Sequence, residues 1–262
     1  MCDDCGNKDG SVSLHLICQA CKDYALFKQP PLGEDCPICF LQVPFMSTGR
    51  KYQSCCGKVI CSGCIHAVQM MDGKAKCPFC RVPMSESDEE LIERYTKRVE
   101  MDDVEAIYCL GCFYNGELNF PQDRARALEF WHRAGELGNA SAYYNIGNAY
   151  YLGNGVERDV KKAKHYWELA ALGGHVGARG NLGIIEEYVD NDMNQALKHH
   201  MIAVGRGNDK SLKQIREFYV NGHATKDDYA KALRAHQKYI DGIKSAERDE
   251  AAAYNSEKYR YY

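Results

Sequence analysis

The 262-residue chain has no apolar run near the ~20 residues that a membrane-spanning helix requires. It lacks a surplus of either charge: 33 Lys+Arg against 36 Asp+Glu leave a net −3, which disfavours an electrostatic grip on nucleic acid. The opening Met1-Cys2-Asp3-Asp4-Cys5 has neither the basic start nor the apolar core of a secretory signal. The expectation is therefore a cytoplasmic or nuclear protein that is not secreted. No phosphate-cradling glycine loop, dinucleotide fingerprint or Ser/His/Asp set is visible. Cysteine is missing from the last 150 residues, although the chain has 14. With 45% hydrophobic residues the chain can bury a core, which excludes wholesale disorder.

Twelve cysteines crowd between Cys2 and Cys80, and they come in pairs. These are Cys2/Cys5, Cys18/Cys21, Cys36/Cys39, Cys55/Cys56, Cys61/Cys64 and Cys77/Cys80. In a reducing compartment clustered thiols hold metal more often than they form disulfides. Two thiolates on one tight turn supply two corners of a tetrahedron, and a second pair completes a closed zinc site. Twelve ligands make three zinc ions.

From Cys36 onward the order of pairs resembles a RING finger, a module with two zincs in an interleaved cross-brace. The resemblance implies that Cys36, Cys39, Cys61 and Cys64 hold one zinc, and Cys55, Cys56, Cys77 and Cys80 the other. It further implies an apolar groove for a ubiquitin-conjugating enzyme at Ile38, Val68 and Pro78. Arg81, directly after the last cysteine, matches the basic position that restrains ubiquitin's thioester. Lys58 is the departure, standing where most RING fingers have His, and an ammonium has no lone pair for a metal. Reading both Cys55 and Cys56 as ligands makes this an all-cysteine variant, with His66 as the stand-in alternative. Cys2, Cys5, Cys18 and Cys21 form a zinc knuckle around a short predicted strand, though Cys18 and Cys21 could instead share a metal with the Cys36 pair. Gln29-Pro30-Pro31-Leu32-Gly33 is a turn-rich link to the next unit.

Past the cysteines, Ser87 and Glu90 have capping-box spacing and predict a helix to about Arg98. A repeat follows. Leu110-Gly111, Ile146-Gly147 and Leu182-Gly183 recur every 36 residues, while Trp131, Trp167, His200 and His236 recur at 36, 33 and 36. Each unit has the pattern of helix, turn and helix, with small residues where the helices approach. The segment from Ser141 to Ala178 resembles a Sel1-like repeat, a relative of the tetratricopeptide repeat. Three good copies (about 102–138, 139–174 and 175–207) precede a degenerate fourth at about 208–243. The resemblance implies a curved solenoid that binds peptides or proteins.

The predicted fold is thus a small zinc-stabilised α+β RING-like module with an N-terminal four-cysteine knuckle, followed by an all-α solenoid of helical hairpins. The predicted boundaries are 1–28 for the knuckle, 33–84 for the RING-like module, 85–101 for a linker helix and 102–243 for the repeats. Residues 244–262 are expected to form a solvated helix and a frayed tail. Trp131, Trp167, His200, Cys109 and Cys112 read as packing residues. The functional expectation is a RING-type ubiquitin ligase whose partners are a conjugating enzyme and a protein substrate held by the repeats. A non-enzymatic zinc-stabilised scaffold is the alternative.

Overall fold

The computed structural model describes residues 24–28, 33–45, 47–72, 76–117 and 120–261. Residues 33–83 fold around sulfur more than around a large apolar core. Two tight turns, one holding Cys36 and Cys39 and one holding Cys77 and Cys80, are closed by the bridges Asp35–Gln42 and Lys76–Pro83. Between them an antiparallel hairpin, β1 (Arg50–Gln53) and β2 (Lys58–Cys61), pairs Arg50 with Cys61 and Gln53 with Lys58. The chain then enters helix α1 (Ser62–Asp72).

Helix α2 (Asp88–Val99) begins at Ser87, whose hydroxyl accepts the Glu90 amide at 3.2 Å. The box does not close as the sequence suggests, because the Glu90 carboxylate takes the Glu86 amide instead, at 3.0 Å. Hairpins follow: α3 (Val104–Tyr114) with α4 (Arg124–Glu136), α5 (Ala140–Leu152) with α6 (Val160–Leu172), and α7 (Val176–Tyr188) with α8 (Met193–Val204). The degenerate fourth unit forms too, as α9 (Asp209–Val220) and α10 (Lys226–Ile243). Recurring polar residues start these helices. Asp103, Asp123, Asn139, Asp159, His175, Asp192 and Asn208 each accept the amide three residues on. Such a cap satisfies an orphan donor and contributes about 1 kcal/mol.

The 36-residue glycines have one purpose. A Cβ on Gly111 would lie 2.6 Å from Trp131, one on Gly147 2.5 Å from Trp167, and one on Gly183 2.6 Å from His200. Each glycine admits the edge of the ring that its own hairpin partner projects, so the two periodicities in the sequence are one contact.

The cysteine module is tied to both ends of the solenoid. At the near end the tilted rings of Tyr52 and Tyr95 lie 5.6 Å apart, and Tyr95 packs edge-on against Phe113. The Tyr52 hydroxyl donates to Asp103 at 2.7 Å, and Arg98 donates to Ser54 O at 3.0 Å. At the far end the chain folds back: α11 (Ala246–Tyr254) and α12 (Ser256–Tyr259) lie on α1 and its surroundings. This corrects the expectation of a solvated helix and frayed tail. Arg248 is 0% and Tyr261 1% exposed. The cause is a close approach that sequence periodicity does not reveal: Gly63 lets the Arg248 backbone nitrogen come within 2.8 Å of where a Cβ would stand.

Candidate metal centre

Four local structures present the described cysteine pairs. In each of the two turns the chain reverses through a left-handed residue directly after the second cysteine, Phe40 (φ 57°) and Arg81 (φ 64°). The amides of Phe40 and Arg81 donate to Cys36 O and Cys77 O at 2.9 and 3.0 Å. Cys55 and Cys56 sit at the tip of the β1–β2 hairpin, where Gly57 adopts φ 71°. Cys61 ends β2 and Cys64 lies in the first turn of α1.

These places interleave. Cys36, Cys39, Cys61 and Cys64 converge as one group of sulfurs and Cys55, Cys56, Cys77 and Cys80 as another, each group lying within 4.8 Å. The sulfur contacts are 3.9 Å for Cys36–Cys64, 3.7 Å for Cys39–Cys61, 3.7 Å for Cys56–Cys77 and 3.3 Å for Cys80–Cys55. No pair is at disulfide distance, and all eight thiols are free. Sulfurs about 2.3 Å from a zinc ion at the corners of a tetrahedron are about 3.8 Å apart, so the donor set fits a four-thiolate metal site. Bare thiols this close do not all ionise. Contacts with Cys61 and Cys64 hold Cys36 far below the thiol range, and the same contact with Cys36 pushes those two up. In the second group burial, then the sulfur of Cys77, pushes Cys56 up to about 11. A dication is the chemistry that would let all four thiolates of a group exist together.

His66 is not among these ligands. It is buried against the rings of Tyr254 and Tyr259. Lys58 is exposed at the start of β2. Cys2, Cys5, Cys18 and Cys21 lie outside the described residues. Cys112 is buried, accepts from Asn145 Nδ2 at 3.6 Å, and burial pushes its thiol up to about 12, as befits a packed cysteine.

The residues of the expected groove lie on the two turns and α1. Ile38 is exposed, Val68 and Pro78 are half-buried, and Arg81 is exposed. The sequence did not single out Phe40, Phe79 or Met71, which are also exposed apolar side chains of this module. Nor did it single out Arg248. Its guanidinium donates to Ile243 O at 2.7 Å and reaches Leu41 O at 3.5 Å, both backbone acceptors, with Cys39 Sγ beside them.

With this geometry in view, comparison with known proteins identifies the helical half. Residues 104–139 and 140–175 match the Sel1 repeat family model. The Sel1 repeat protein of Oxalobacter formigenes superposes with a TM-score of 0.53 and 29% identity, over 60% of this chain and 66% of that one. A protective antigen of uropathogenic Escherichia coli strains superposes at 0.50 with 25% identity, over 63% of this chain and 36% of that one. Residues 104–175 therefore carry Sel1 repeats, within a solenoid-like stack of helical hairpins.

Among curated proteins, the chain is 36% identical over 80 residues to the ERAD-associated E3 ubiquitin-protein ligase component HRD3B of Arabidopsis thaliana. It is 32% identical over 82 residues to chitin synthase regulatory factor 2 of Schizosaccharomyces pombe. These matches cover 30% and 31% of this chain but only 13% and 16% of those proteins.

Proposed function

We propose that the chain is a RING-type ubiquitin ligase whose Sel1 repeats hold the protein to be modified. The interleaving of the four described cysteine pairs into two sulfur tetrads is the observation that supports it most, with Ile38, Phe79 and Arg81 exposed beside them. Zinc would be held by Cys36, Cys39, Cys61 and Cys64, by Cys55, Cys56, Cys77 and Cys80, and a third ion by Cys2, Cys5, Cys18 and Cys21. Its role there is structural, since four thiolates leave no open position. Catalysis would be positioning: Ile38, Val68 and Pro78 dock a charged conjugating enzyme, and Arg81 restrains its thioester for attack by a substrate lysine.

The second reading is a zinc-stabilised adaptor without activity. Lys58 at the usual His position favours it. So do the names of the relatives, one a ligase component and the other a regulatory factor. Self-ubiquitination with a panel of conjugating enzymes separates the two. Ubiquitin chains on the protein itself support the ligase, and their absence with every enzyme, at full metal content, supports the adaptor.

A further inference from the structure

In the second repeat the rings of Tyr143 and Tyr166 lie 6.2 Å apart. The third repeat places Arg179 and His199 at the equivalent positions, 36 and 33 residues on. An aromatic wall is replaced by a guanidinium and an imidazole, and the space is filled from far away in the sequence. Residues 24–27 form a helical turn. Leu26 packs on the core of the second and third repeats around Trp167, Ala178 and Leu182. The Phe27 ring lies 4.8 Å from that of His199, and the Lys198 ammonium is 5.2 Å from its centre. Arg179 donates from Nη1 to Leu26 O and from Nη2 to Ala171 O.

The chemistry of the site follows from Arg179. It is 2% exposed, and its Nε has no acceptor. A guanidinium this buried is costly without acceptors, so the notch must be occupied by a group that offers one. The acceptor present is a carbonyl in the last turn of a helical segment, where carbonyls lack partners of their own. Lys198 adds positive charge, whereas Lys164 is paired with Glu186 and Asp190; burial, then the Arg179 guanidinium, holds His199 well below its ordinary range. The surroundings thus suit the electronegative end of a helix.

We propose that the notch between Arg179 and His199 is a docking site for the last turn of a partner helix bearing a Leu-Phe pair. The chain's own residues 24–28 occupy it in cis. A partner with that chemistry competes with this segment, so recruitment is coupled to release of the link between the N-terminal cysteines and the RING-like module. The inference rests on reading the repeats as a protein-binding surface, and its test needs no conjugating enzyme, so it fails or stands apart from ligase activity.

The test uses a fluorescent peptide spanning residues 20–30, with Ser in place of Cys21, and the full chain. In Phe27→Ser protein the segment should leave, and the peptide should bind this variant at least about tenfold more tightly than the parent. A peptide with Ala in place of Phe27 should bind neither. Adding the exposed-site change Lys198→Glu should weaken binding severalfold without moving the thermal midpoint. Equal binding to parent and Phe27→Ser chains, no binding to either, or indifference to Lys198→Glu would overturn the proposal.

Discussion

Arg248 Nη2 lies 3.8 Å from Cys39 Sγ, across 209 residues of sequence. The same guanidinium holds carbonyls of α10 and of the first cysteine turn, so it joins the far end of the solenoid to the first sulfur tetrad. Four thiolates around a dication would leave two negative charges, and the buried guanidinium beside them would offset part of that excess.

Replacing Arg248 with Met strands those acceptors and removes the cation. Stability should fall by about 2–4 kcal/mol in thermal melts. Zinc release to an excess of a colorimetric chelator should accelerate at least about fivefold. Arg248→Lys should lie between the two proteins, since it restores the charge without the fork. Release at the parent rate would remove Arg248 from the metal's surroundings.

Elemental analysis of the purified chain should give close to three zinc atoms, two of them in the described tetrads. Cys55→Ser should lower the count by one and expose Cys77 and Cys80 to alkylation. An unchanged count would make Cys55 a bystander. Structural zinc contributes on the order of 10–16 kcal/mol in small fingers. Chelation should therefore unfold residues 33–84 while most of the repeats' helical signal persists.

Gly147→Ala tests the contact behind the repeat. The added methyl would meet the Trp167 ring at 2.5 Å, so a loss of about 1–3 kcal/mol is expected. Gly138→Ala, with open space around it but φ 97°, should lose stability through backbone strain alone. Equal melting of Gly147→Ala and parent would mean that the hairpins are less tightly packed than described.

What the sequence revealed and what it hid follow from range. The cysteine pairs are local turns, so their spacing is visible, and resemblance to a RING supplied the interleaving that no spacing contains. The Gly/Trp rhythm is visible because the same contact is made in successive hairpins. Arg248 was hidden in the mixed charges of Lys244–Glu250, which look solvated until Gly63 is found against them. Arg179 did leave a trace: a cation at a position where the two preceding repeats have Ile107 and Tyr143. Nothing local, however, said that Leu26 would be its partner.

Acid should loosen the third repeat. His200 replaces the repeat's Trp, its Nδ1 lies 3.0 Å from Ser211 Oγ, and burial lowers its pKa to about 4. An unfolded imidazole binds its proton near 6.5, so as the pH falls from there to about 4 the unfolded state holds more protons. The stabilisation is complete above pH 6.5 and is lost progressively towards 4, by about 2 kcal/mol at pH 5 for this residue. His200→Phe should flatten the melting profile between pH 7 and 5 relative to the parent. Parallel profiles would show that His200 is protonated without penalty.

The most direct test of the functional reading is single-turnover discharge of ubiquitin from a charged conjugating enzyme to free lysine. The metal-loaded chain should accelerate it at least about tenfold, a difference of about 1.4 kcal/mol in the barrier. Ile38→Ala should abolish the effect by removing enzyme binding at unchanged zinc content. Arg81→Ala should leave binding nearly intact yet slow discharge. A loaded chain that leaves discharge at the uncatalysed rate with every conjugating enzyme, or that accelerates it equally with Ile38→Ala and Arg81→Ala, would contradict the account.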